Sequence, residues 1–141
     1  GKEERPVVIH RALLGSLERF IGVYIEHVGA AFPFWIAPEQ AIIVPVNNET
    51  HEAEASIIAA ELRDLGLRIK VDNRNESMGY KTRQIQKSKV PYMIVIGDRE
   101  IETKTVSLRA YGSRDSETLS HADLKTLFTE LNQERVPKEL R

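Results

Sequence analysis

The chain of 141 residues contains no cysteine, a single tryptophan, two methionines and almost no net charge, formally -1 at pH 7. The missing cysteine excludes disulfides and thiolate metal sites and leads us to expect a reducing compartment, the cytoplasm. No run of about 18 apolar residues occurs, so no helical membrane span is expected, and the first residues, GKEERPVV, lack the apolar core of a signal peptide. The balanced total charge announces no nucleic-acid partner. Nucleophile elbow, P-loop and dinucleotide fingerprint are all missing. His10, His27, His51 and His121 are scattered without ligand spacing. Of these, His27, His51 and His121 are expected at the surface. The residues give little support to nucleophilic catalysis.

What is present suits one well-packed core with a small appendage. The stretch VVIHRALLGSLERFI predicts a strand over 6–9, a Gly-bearing turn and an amphipathic helix over 14–28. Leu14, Leu17, Phe20, Ile21, Tyr24, Ile25 and Val28 share one face of that helix, and Ser16 and Arg19 project from the other. An arginine at such a junction can grip a phosphate or carboxylate with its planar fork. GAAFPFWIAP (29–38) reads as a connector whose Trp35 anchors it by packing.

From Ala41 the pattern alternates between strands and helices. AIIVPV reads as a strand buried on both faces. A helix capped by Asn48 or Thr50 runs to Leu65 with Ala53, Ile57, Ala60 and Leu65 inward, and Gly66 supplies its left-handed stop. LRIKV follows as a strand, Ser77 caps a basic helix ending near Lys87, and YMIVIG is another apolar strand. Residues 98–105 read as a turn with room for a short strand, TVSLRAY as a strand and 112–120 as a polar loop. A helix over 122–134 turns Leu124, Leu127, Phe128 and Leu131 inward. These elements predict an α/β domain with a mixed, mainly parallel sheet of about five strands flanked by helices. The expected segments are 1–38 (strand, helix and connector), 39–135 (main domain) and 136–141 (frayed tail).

Charge is unevenly distributed. Arg68, Lys70, Arg74, Lys81, Arg83, Lys87 and Lys89 fall within 68–89 against only Asp72 and Glu76. A basic surface can therefore sit inside a neutral total. Ligands of open α/β sheets bind beyond the carboxyl ends of strands. There Asn73, Arg74 and Asn75 can address base edges, while Lys81, Arg83 and Lys87 serve phosphates. Glu100 and Arg109 bracket the expected turn. They can meet base amino groups and guanine, or equally form a surface ion pair.

HRALLGSLERF resembles motif 3 of the class II aminoacyl-tRNA synthetases in its threonyl form. VDNRNESMGYKTRQIQKSKVPYMIVIGDREIETKTVSLR resembles the anticodon-binding domain shared by the threonyl, prolyl, histidyl and glycyl enzymes. The resemblance runs from about Pro6 to Arg135. It implies that Asn75, Lys89, Glu100 and Arg109 contact the anticodon, with lysine at 89 where the bacterial pattern carries arginine. It implies that Arg19 contacts ATP phosphate, with magnesium, in a full enzyme. It also implies that His10, nine residues before Arg19, corresponds to one ligand of the catalytic zinc. The family's other two zinc ligands, a Cys and a His, precede anything present here, so no cofactor is expected on this chain alone. The implied partner is the anticodon stem-loop of threonine tRNA, and the implied parent is a homodimeric cytoplasmic ligase, silent in this piece without motifs 1 and 2. Other readings consistent with the residues are a related class II enzyme, a non-enzymatic tRNA-sensing protein, or a doubly wound domain binding a small ligand or protein.

Overall fold

The computed structural model describes residues 1–135 and divides them into two compact units, 1–30 and 31 onward. The first unit holds one helix, α1 (Leu17–His27), N-capped by Ser16, whose hydroxyl accepts the Arg19 N–H. Residues 6–9, expected as a strand, form none: Val7, Val8 and Ile9 are 90%, 69% and 84% exposed. A strand needs a neighbour for its backbone groups, and no described residue pairs with these. Helix α1 starts three residues later than expected, after Gly15 at φ +64, and buries none of its side chains. Phe20 and Tyr24 stack one turn apart on its surface.

The second unit is a five-stranded sheet in the order β2-β1-β3-β4-β5. Its strands are β1 (Ala41–Pro45), β2 (Ile69–Val71), β3 (Tyr92–Ile96), β4 (Thr105–Ala110) and β5 (Glu117–Ser120). Strand β1 pairs in parallel with β2 and β3; β3–β4 and β4–β5 are antiparallel. The sheet is therefore mixed as expected, with the pairings evenly divided between the two senses. Helix α2 (Asn48–Asp64) joins β1 to β2, and α3 (Met78–Lys87) joins β2 to β3. Because β2 and β3 lie on opposite sides of β1, the two crossovers run in opposite directions. The right-handed rule for such connections sends their helices to opposite faces. Ala55, Ile58, Ala59 and Leu62 of α2 accordingly pack with Ile43, Ile94 and Val106, while Ile85 of α3 packs with Ile42, Val44 and Met93. Strand β1 is consequently buried at every residue.

Several local expectations are corrected. The N-cap of α2 is Asn47, whose side chain accepts the Glu49 N–H. The inward face of α2 is displaced from the expected one: Ile57 is 54% and Leu65 48% exposed. Two apolar stripes overlap on this alanine-rich helix, and only the i, i+3, i+4, i+7 set from Ala55 to Leu62 faces the sheet. Residues 98–103 form a short helix, α4 (Asp98–Thr103), instead of a turn. The polar segment 112–120 supplies the edge strand β5, whose polar side chains hide its period. Helix α5 (His121–Glu134), capped by Ser120, buries Leu124 and Phe128 as expected and tucks Leu127 and Leu131 against the same core. His121 at its start is only partly exposed. In the connector Phe34 is buried, and Trp35 beside it is partly buried with its ring nitrogen out of solvent. The contacts of Phe34 reach the core. Its ring meets Tyr92 edge-on at 5.7 Å and Phe128 at 4.8 Å. The expected tail, 136–141, lies outside the described residues.

Candidate nucleic-acid interface

The parallel strands end at one edge of the sheet. Pro45 lies beside Ile96 there, and the Val46 N–H donates to the Ile96 carbonyl. Between β1 and β3 the connections depart in opposite directions, the place where open α/β sheets take their ligands. Asn75 lies in the loop after β2, and Glu100 in the first turn of α4 after β3. Lys89 and Arg109 lie toward the other end of β3: Lys89 precedes the strand, and Arg109 stands opposite Met93. Arg83 is exposed on α3, and Lys87 lies one turn further along it. The six are thus distributed over the loop after β2, α3 and the two ends of β3.

Arg109 and Met93, directly opposed on neighbouring strands, share a sheet face. Met93 packs with Ile85 of α3, so Arg109 lies on the α3 side. Val106 and Leu108 are buried on the opposite side, while Thr105, Ser107 and Arg109 stay partly exposed. Ser107 pairs with Thr118 of β5 and extends the same polar surface. The Arg109 Nε–H donates to the Ser113 carbonyl at 2.8 Å, which orients the guanidinium; its terminal N–H groups have no partner among the described residues and suit a bidentate contact. Glu100 accepts the Gly97 N–H at 3.0 Å. With these separate partners, Glu100 and Arg109 form no ion pair with each other among the described residues. A Cβ on Gly97 would lie 3.1 Å from the Glu100 carboxylate and 3.3 Å from Val46, so a larger residue there would have to displace one of them by a few tenths of an ångström.

The basic stretch divides into structural and exposed charges. Lys81, expected on phosphate, is 2% exposed; its ammonium donates to the Asp72 carbonyl at 3.1 Å and to Asn48 Oδ1 at 3.4 Å. A buried ammonium persists only when so bonded. Arg74 forks onto Asp72 at 2.8 and 2.7 Å, and its guanidinium lies 6.0 Å from the Tyr80 ring centre. The Arg74 side-chain bond holds the Asp72 carboxyl below its ordinary range, against the opposing effect of burial. Arg68 donates to the Trp35 and Ala37 carbonyls, and Lys70 pairs with Glu39. Arg83 and Lys87 remain the exposed cations of α3. Lys89 is only partly exposed, at φ +55 just beyond the helix.

His51, expected at the surface, is buried at 2% exposure. Its Nδ1 accepts the Asn47 N–H at 3.1 Å, and its Nε2–H donates to Asp98 at 2.9 Å. Sequence reasoning missed this residue because it lies between glutamates on a stretch that reads as polar. Arg19 and His10 are both exposed in the first unit. No group of three or more His, Cys, Asp or Glu side chains suited to a metal occurs among the described residues. His10 without a second or third ligand beside it does not fit a three-ligand zinc site, and we assign no chemistry through zinc to this chain.

Residues 40–131 match the family model for the anticodon binding domain. Over 119 residues the chain is 49% identical to a threonine–tRNA ligase of Staphylococcus saprophyticus, covering 84% of this chain and 18% of that protein. It is 43% identical over 140 residues to a threonine–tRNA ligase of Streptococcus uberis, covering 99% and 22%. The chain thus spans about a fifth of the length of these curated relatives. The RNA binding domain of threonyl-tRNA synthetase from Cryptosporidium parvum Iowa II shares its fold at a TM-score of 0.80 and 33% identity, covering 86% of this chain and 30% of that one. The chain belongs to the anticodon binding domain family, in the form that threonyl-tRNA synthetases carry.

Proposed function

We propose that this chain reads the anticodon stem-loop of threonine tRNA for a cytoplasmic, homodimeric ligase that joins threonine to its tRNA with ATP. The observation that carries this reading is the polar half-face of β4 and β5 with the oriented Arg109 fork, lying on the same side of the sheet as α3 and its exposed Arg83 and Lys87. An unpaired loop crossing that surface meets phosphate-binding cations along α3 and base-reading groups at Asn75, Glu100, Lys89 and Arg109. Lys89 contributes charge without the planar geometry of arginine, so the selective contacts fall on Asn75, Glu100 and Arg109. Arg19 in α1 would meet ATP phosphate, and His10 would join the zinc site, only within the whole enzyme.

Titration with a threonine anticodon stem-loop, beside stem-loops altered at the second or third anticodon base and at two salt concentrations, tests the reading. We expect preference for the first, reduced in Glu100→Ala and Arg109→Ala. Equal, salt-sensitive binding to all of them would leave a basic RNA surface without selectivity. No binding at all would reject the reading.

A further inference from the structure

The polar groups at the carboxyl edge converge on one short piece of chain, the first turn of α2. It follows β1, the strand between β2 and β3, directly, and so lies between the loop after β2 and the turn after β3. Asn48 reaches toward the first of these: its Nδ2–H groups donate to the Asn73 carbonyl at 2.7 Å and the Arg74 carbonyl at 3.2 Å. Its Oδ1 accepts from the buried Lys81 ammonium, so both ends of the amide are engaged. Glu52, one turn on, accepts from Asn73 at 2.8 Å. His51 reaches the other way. Acceptance of the Asn47 N–H at Nδ1 leaves the ring proton on Nε2, which donates to Asp98. Asp98 follows Gly97, whose N–H is the donor that holds the Glu100 carboxylate.

We propose that this turn of α2 sets the spacing between the two loops, with Asn48 as a positioning residue for Asn75 and His51, through Asp98, as a positioning residue for Glu100. The role rests on the anticodon-reading function proposed above. Packing alone does not explain His51. An aliphatic side chain would fill the same buried volume without two polar atoms to satisfy. What histidine adds is a directed bond to each of its two neighbours, and one of these, Asp98, has a side chain 91% exposed. A bond from a buried ring to an exposed acid orients the turn that carries the acid and contributes little to the core.

The test uses this chain with Asp98→Ala, Asn48→Ala, His51→Ala and His51→Gln. Two readouts are taken: amide hydrogen exchange at Gly97 and Glu76, and the affinity ratio between the threonine anticodon stem-loop and those with a changed second or third base. The Glu76 N–H donates to the Arg74 carbonyl and so reports on the Asn75 loop. In Asp98→Ala we expect faster exchange at Gly97 and a ratio reduced roughly five-fold, the effect of about one hydrogen bond. The dependence of binding on salt should not change, because the phosphate-binding residues of α3 are untouched. Asn48→Ala should do the same at Glu76, and His51→Gln, which keeps an N–H, should retain more selectivity than His51→Ala. Unchanged Gly97 exchange in Asp98→Ala would overturn the tether whatever the RNA does. Faster exchange with an undiminished ratio would overturn the positioning role. Failure of the unmodified chain to discriminate would remove the anticodon reading and this role with it, and the exchange rates would then decide the tether separately.

Discussion

Lys81 and Arg83 stand two positions apart on α3 and have opposite fates, one buried and bonded to the Asp72 carbonyl, the other exposed. Substituting Arg83 with alanine should weaken binding to every stem-loop alike and lower the slope of log affinity against log salt by about one. Lys81→Met should instead lower stability by about 1–3 kcal/mol in urea unfolding, because it strips a bonded donor from Asn48 and Asp72. Asp72 adds a pH dependence. Its folded carboxyl is held below the ordinary value by Arg74, so its contribution is fully present above about pH 4 and is lost as pH falls through the depressed folded value. Asp72→Asn should therefore be less stable than the unmodified chain at pH 7. Urea midpoints measured down to about pH 2 should show that gap closing.

Among the elements, α1 and α2 show how far pattern alone carries. Helix α1 has the clearer amphipathic pattern in the sequence, yet it buries no side chain among the described residues. An isolated helix of 11 residues is marginal in water. Its exposed apolar face predicts fast amide exchange across 17–28, against strong protection in β1 and α2. Measured protection in α1 equal to that of β1 would contradict this. Helix α2 is the reverse case. Its diffuse pattern conceals a stripe from Ala55 to Leu62 that lies flat on the sheet, with both Ala55 and Ala59 fully buried. Short alanine side chains let the helix approach closely, and they contribute little to the sequence periodicity by which such a face is recognised.

At the scale of the whole molecule, the second unit closes around one aromatic group. Phe34 from the connector, Tyr92 from β3 and Phe128 from α5 meet with ring centres 4.8 to 5.7 Å apart. Phe128 is fully buried. Phe128→Ala should cost about 3–5 kcal/mol in denaturant unfolding and release both the connector and α5 from the sheet. For catalysis the expectation follows from the small share of the relatives that this chain spans. Supplied with threonine and ATP, it should give no threonine-dependent pyrophosphate exchange while still binding the stem-loop.

The residue pattern was sufficient for the alternation of strands and helices from β1 to β3, for the doubly buried β1, and for the Ser77 and Gly66 boundaries. Each of these depends on local backbone preference or on a period that only neighbouring residues define. The motif stretches were likewise sufficient to indicate the family. Packing alone decided the inward face of α2, the pairing of β5, the burial of Lys81 and the place of Phe34 in the aromatic group. It also brought His51 to Asp98 across 47 positions of chain. Burial and long-range hydrogen bonds are properties of what surrounds a side chain, and those surroundings exist only once the sheet has assembled.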